Sequence, residues 1–246
     1  MSSPEREFER LLDGHRAFRR AHFAASDGAA DVPRALRALS ERGQRPRALV
    51  VACSDSRADP AIVFDTGPGD VFTIRNVGSL VPAYAGLDGG HHGTCAATEY
   101  ATVHLEVPVI LVMGHTQCGG AAAGLRKYGN GPDADASAFG VNETTGEGFI
   151  GAWVALAEDA VRRVCERHDP GVRARMLEYE LVRQSVQNVL TFPFVKRRVD
   201  RGELVVKGAV FNVWDGTLEV LRADGSFEQL DDDAEDARGE AKRAKN

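Results

Sequence analysis

No apolar run in the 246 residues approaches the roughly 18 that a membrane span needs. Residues 1–7, Met-Ser-Ser-Pro-Glu-Arg-Glu, have neither the basic stretch nor the apolar core of a secretory signal. A soluble cytoplasmic protein with no membrane partner is therefore expected. Cysteine is scarce. Four in a chain of this length do not make a disulfide framework, and in a reducing compartment a Cys/His group more often binds metal or catalyses. Positive charge is not in excess either: the formal net charge of -6 gives no reason to expect a nucleic-acid partner.

What is present is enough apolar material, 43% of residues, to bury a full core. Phe8, Leu11, Leu12, His15 and Phe18 recur at helical spacing with Arg and Glu between them, so an amphipathic helix is expected over about 5–25. A second helix is expected over 33–41, the two forming a helical arm of about 5–41. Strands are expected at 48–52, 70–75 and 107–113, with a glycine-rich loop over 78–93 and a helix over 93–105. Gly119 and Gly120 open a helix to about Tyr128, and 129–147 reads as a surface excursion. Helices at 149–164 and 176–190 and a short one after Pro193 lead to strand-like segments 203–206 and 209–213, joined through Lys207-Gly208. Asp215-Gly216 is a hairpin signal returning as 217–221. This order predicts a single α/β domain over 1–230, a mainly parallel central sheet with an antiparallel edge strand, flanked by helices. Residues 231–246, nearly all charged or Ala, read as a frayed tail.

Two short stretches carry the chemistry. Cys53-Ser54-Asp55-Ser56-Arg57 follows the first strand, and Gly114-His115-Thr116-Gln117-Cys118-Gly119-Gly120 follows the third. In an open parallel sheet the carboxyl ends of the strands share one edge, where ligand sites form. Cys53, His115 and Cys118 there make a Cys₂His set, which suits zinc with a fourth position for substrate or water. Cys118 falls at a helix N-terminus, which favours a thiolate. Asp55 is the candidate fourth ligand, yet Arg57 stands two residues on, and a guanidinium can hold a carboxylate at both oxygens and keep it off the metal. The expected reaction class is metal-hydroxide attack on a small, uncharged carbon centre. A phosphatase reading of Cys53 and Arg57 fails, because three intervening residues are too few for a phosphate cradle.

Cys-x-Asp-x-Arg followed by His-x-x-Cys-Gly resembles the β-class carbonic anhydrases. So do Arg75-Asn76-Val77, Val81-Pro82, Glu99-Tyr100-Ala101, Phe149-Ile150 and Thr191-Phe192-Pro193-Phe194-Val195. The resemblance runs from about Phe8 to Leu221. It implies reversible hydration of CO₂ to bicarbonate and a proton by zinc-hydroxide attack. One Zn²⁺ per subunit would sit on Cys53, His115 and Cys118, with Asp55 and Arg57 as the orienting dyad. It also implies a homodimer or larger homo-oligomer, with the pocket built across the dimer interface and the N-terminal helix packed there.

The likeness is greatest to the plant-type branch. That branch places its substrate pocket at Gln44, Phe72 and Tyr100 and its proposed proton shuttle at His104, and the amide of Gly119 would complete the anion contact. In the bicarbonate-regulated branch a Trp and a Tyr stand where this chain has Val50 and Phe211. Without the family likeness, Gln44, Phe72 and Tyr100 would each be read as structural. Two extra residues around 88–92, Cys95 in place of a small hydroxyl residue, and the acidic insertion 129–147 depart from the family pattern. His91-His92 reads as ordering a loop, and Cys95 and Cys165 as apolar fillers. Two other functions share these motifs: hydrolysis of carbonyl sulfide or carbon disulfide on the same site, and a zinc-stabilised assembly module without turnover.

Overall fold

The computed structural model describes residues 3–23, 31–86, 92–131, 134–140 and 148–230. The arm is two helices, α1 (Pro4–Phe23) and α2 (Asp31–Arg42). Then come β1 (Ala48–Cys53), α3 (Pro60–Val63), β2 (Val71–Asn76), α4 (Gly93–Glu99), a π-helical turn Tyr100–His104, β3 (Val109–His115) and α5 (Gly119–Tyr128). The second half holds α6 (Phe149–Val154), α7 (Glu158–Arg167), α8 (Arg173–Thr191), α9 (Pro193–Asp200), β4 (Val205–Phe211), β5 (Leu218–Leu221) and β6 (Phe227–Gln229). The tail 231–246 and His91 lie outside the described residues, as do parts of the arm linker and of the two departing loops.

The six strands among the described residues form one sheet in the order β2-β1-β3-β4-β5-β6. The first four are mutually parallel, and β5 and β6 run antiparallel to their neighbours. The expected α/β class with an antiparallel edge is thus what the chain builds. From β1 the chain steps to β2 on one side and then crosses to β3 on the other, so the crevice beyond β1 and β3 is a topological switch point. β1 is buried along nearly its whole length, which is why it reads as an unbroken apolar run rather than an alternating one.

On one face Leu49, Val51, Ile110, Val112 and Val210 pack with Val182, Val186 and Val189 of α8. The other face holds a smaller cluster of Val50, Ala52, Ala58 and Met113, with Phe211 against it. Two glycines let α8 come this close. A Cβ at Gly114 would lie 2.6 Å from Val182 Cγ2, and one at Gly208 2.7 Å from Val182 Cγ1.

These glycines account for two departures from the sequence reading. Where two segments at 203–206 and 209–213 were expected, one continuous strand, Val205–Phe211, runs through Lys207-Gly208, because Gly208 makes room for α8 and makes no turn. For the same reason β3 does not stop before Gly114 but runs on to His115. It begins at Val109 because Pro108, lacking an N–H, cannot donate to the ladder. The helix expected over 149–164 is two helices separated by a 3₁₀ turn at Ala155–Ala157, where the Gln184 amide donates to the Leu156 carbonyl. β6 was not foreseen. It follows a tight turn closed by Arg222 N–H donating to Ser226 O at 2.8 Å, with Gly225 at φ 86°.

Candidate metal centre

Cys53 is the last residue of β1, His115 the last of β3, and Cys118 the N-cap of α5. All three are buried, and their ligand atoms lie within 4.8 Å of one another. His115 Nδ1 donates to the Thr116 carbonyl at 2.9 Å, which fixes the tautomer and turns the Nε2 lone pair inward. That Nε2 is buried and has no hydrogen-bond partner among the described residues. A hydrogen bond from the Cys118 thiol pulls the Cys53 thiol well below its usual range against the burial that would raise it, while Cys118 is pushed up in return. Two sulfurs sharing one proton beside an unsatisfied imidazole nitrogen are a donor set that a divalent ion satisfies, and S/N/S is the choice of zinc.

The turn between the ligands is tightly held. Gln117 sits at φ 56°, in the left-handed region, which brings Cys118 back toward His115. Gly78 N–H donates to Cys53 Sγ at 3.4 Å. Gly78 can approach because α5 carries Gly120 there: a Cβ on Gly120 would lie 3.0 Å from Gly78 Cα. Ser79 Oγ ties the same loop to the Met113 carbonyl at 2.8 Å, and Trp153 Nε1 donates to the Val77 carbonyl at 2.7 Å.

Arg57 grips Asp55 at both oxygens, Nε to Oδ1 at 3.0 Å and Nη2 to Oδ2 at 2.7 Å, and Nη2 also donates to the Gln117 carbonyl at 3.1 Å. The guanidinium therefore joins the two motifs. Its hydrogen bonds hold the Asp55 carboxyl far below the usual carboxylate range. Asp55 Oδ2 stands 3.9 Å from His115 Nε2, at the rim of the three-ligand cluster.

Two further residues bear on the site through contacts that the sequence pattern alone does not show. Arg75 donates to the Cys53 carbonyl at 2.9 Å, to the Asp55 carbonyl at 2.6 Å and to Asp59 at 2.5 Å, so it pins the loop that carries the first motif. A charge at the end of an apolar strand was the available signal. Glu178, on α8, is 7% exposed and accepts the Cys118 N–H at 3.2 Å. Burial pushes its carboxyl up, and the Cys118 amide and Arg175 pull it back.

The other expected site residues do not all join this cluster. Gly119 does, as the first residue of α5. Phe72 and Tyr100 stack on each other with ring centroids 5.9 Å apart, and Tyr100 meets His104 at 5.2 Å. Phe72 is in register with Leu49, four residues before Cys53 along β1, which puts it roughly 13 Å from the metal ligands. Gln44 is exposed in the segment leading into β1, at the opposite end of the strand from Cys53. Cys95 and Cys165 are partly buried and pack against the apolar clusters, as fillers would.

A family model described as carbonic anhydrase matches residues 48–218, which takes in both motifs and every strand of the parallel part of the sheet. The chain belongs to the β-carbonic anhydrases. It is accordingly an enzyme, a carbonate dehydratase, and zinc is its cofactor, with Cys53, His115 and Cys118 as the cluster suited to hold it. A carbonic anhydrase of Synechocystis sp. is 32% identical over 220 residues, 88% of this chain and 71% of that protein. The structure of the β-carbonic anhydrase CcaA superposes with a TM-score of 0.77 at 26% identity, covering 92% of each chain. A Coccomyxa β-carbonic anhydrase, solved in complex with acetazolamide, gives a TM-score of 0.66 at 25% identity over 90% of this chain and 86% of that one. Among the described residues of this carbonic anhydrase, no helix is long and apolar enough to cross a membrane.

Proposed function

We propose that this carbonic anhydrase hydrates CO₂ with Asp55 as the orienting acceptor and Arg57 as the group that keeps Asp55 off the metal. The observation that carries the reading is the two-point grip of Arg57 on Asp55, with Oδ2 3.9 Å from the ligand nitrogen of His115. A carboxylate so held stays anionic, accepts a hydrogen bond at the rim of the cluster and orients what donates it. Zinc bound by Cys53, His115 and Cys118 would supply Lewis-acid activation of water. Three protein ligands with Asp55 held aside match the plant-type arrangement. Val50 and Phe211, packed in one apolar cluster, offer none of the polar groups that a Trp and a Tyr would bring in the bicarbonate-regulated branch.

The substrate pocket is completed by a second subunit. Gln44, Phe72 and Tyr100 stand away from the metal of their own chain, and β2, which carries Phe72, is an edge strand. α1 buries none of its residues although Leu11 is 72% exposed and Phe8, Phe18 and Phe23 lie on it, so a partner's surface is what it fits. His104, exposed beside Tyr100, stands as the proton shuttle at that interface, and the Gly119 amide as an anion contact. None of the four cysteines is in a disulfide, which suits a cytoplasmic, reducing setting.

Stopped-flow CO₂ hydration between about pH 6 and pH 9 tests the reading, with activity expected to rise toward alkaline pH. Asp55→Ala should lose on the order of 10²-fold or more while keeping its zinc. A flat profile with no loss in the variant overturns the mechanism. Offering the same preparation carbonyl sulfide or carbon disulfide fixes the electrophile, since sulfide release outpacing CO₂ hydration would reassign the substrate. Zinc removal that unfolds a protein never able to turn over CO₂ would make it an assembly module instead.

A further inference from the structure

The peptide unit joining Gln117 to Cys118 is held at both ends by charged groups from different parts of the chain. Its carbonyl accepts from Arg57 Nη2 at 3.1 Å, and its N–H donates to Glu178 Oε1 at 3.2 Å. The same peptide follows a residue at φ 56°, a backbone conformation that must be held by its surroundings. Glu178 is delivered there by α8, which lies close to the sheet only because Gly114 and Gly208 have no side chains for Val182, one turn on, to strike.

Glu178 is anchored in turn. Its Oε2 lies 3.5 Å from Arg175 Nη1, Arg175 Nη2 donates to Glu219 at 2.6 Å, and the Tyr179 hydroxyl donates to the same Glu219 oxygen at 2.7 Å. Arg175 also lies over the Tyr179 ring at 4.4 Å. A buried carboxylate is costly unless it is paired, and here it is paired on one side with Arg175 and on the other with the amide of a zinc ligand.

We infer that Glu178 is a positioning residue of the zinc centre: by fixing the 117–118 peptide it sets the place of the Cys118 sulfur and, through the same peptide's carbonyl, the stance of Arg57. It touches neither substrate nor metal. The inference deepens the reading of the cluster as a zinc site, and its test runs without CO₂, so a wrong assignment of substrate or of Asp55 leaves it standing.

The test is metal exchange on the full-length zinc-loaded enzyme. Zinc transfer to a chromogenic chelator is timed, and the visible spectrum of the cobalt(II)-substituted protein is recorded, for wild type, Glu178→Ala, Glu178→Gln and Val189→Ala. Val189 is a buried residue of the same helix outside the ligand cluster, so its variant reports loss of packing alone. Glu178→Ala should release zinc on the order of 10- to 100-fold faster and shift the cobalt bands. Glu178→Gln, which keeps an acceptor but loses the charge, should fall between it and wild type. Val189→Ala should lower stability yet leave the release rate and spectrum alone. Release rates and spectra equal to wild type in both Glu178 variants overturn the inference, as does an equal acceleration in Val189→Ala. Should Glu178→Ala fail to fold, Glu178→Gln decides, and parity with wild type in rate and spectrum counts against the role.

Discussion

Arg57 performs four contacts with one planar group: two with Asp55, one with the Gln117 carbonyl and one with the Gln117 side-chain oxygen. A lysine has the charge but not the fork. Arg57→Lys should therefore retain one zinc per subunit by elemental analysis while CO₂ hydration falls on the order of 10- to 100-fold. Retained activity would mean the charge alone suffices. The three ligands and the Asp55-Arg57 pair were legible in the sequence because their residue types, spacing and places after apolar runs are local signals. Arg75 and Glu178 were not legible in their roles. Their partners are 22 and 60 positions away, and only the register of β2 on β1 and the seating of α8 bring them in.

At the scale of elements, the approach of α5 to the Gly78 loop gives a contrast between adjacent residues. A Cβ on Gly120 would press on Gly78 at 3.0 Å, whereas one on Gly119 meets nothing within 4 Å among the described residues. Gly120→Ala should cost about 1–3 kcal/mol in urea unfolding and weaken zinc retention, while Gly119→Ala should hold wild-type stability within about 0.5 kcal/mol. The packing of α8 on β5 gives a pH dependence. Burial, then its hydrogen bond to Glu219, pushes the Tyr179 phenol up from 10.0 to about 12. The folded protein thus keeps that proton after the unfolded chain has lost it. The stability it adds is complete below about pH 10 and declines as pH rises toward about 12. Urea midpoints at pH 9 and about pH 11.5 should diverge less in Tyr179→Phe than in wild type. Equal divergence would dismiss the phenol as the source.

At the scale of the whole molecule, the proposed site is divided: the metal cluster lies at one edge of the sheet, and the proposed pocket residues Gln44, Phe72 and Tyr100 lie toward the other. If the arm forms the proposed dimer interface, deleting residues 1–30 should convert that dimer to monomer in sedimentation and abolish hydration, while zinc content stays near one per chain. A truncated dimer of full activity would remove the arm from the interface. The fold class was legible because strands and helices alternate with their own periods. The fused β4, the split of α6 from α7 and the small β6 were not, because each depends on tertiary contacts or on a turn with weak strand propensity after it.

The switch point between β1 and β3 also has a consequence in time. Cys53 leaves the ribosome long before His115 and Cys118, and the chain makes β2 and the π-helical turn before β3 can be laid beside β1. Glu178 follows later still, on α8. Zinc therefore finds no complete set of these ligands on a nascent fragment that ends before Cys118.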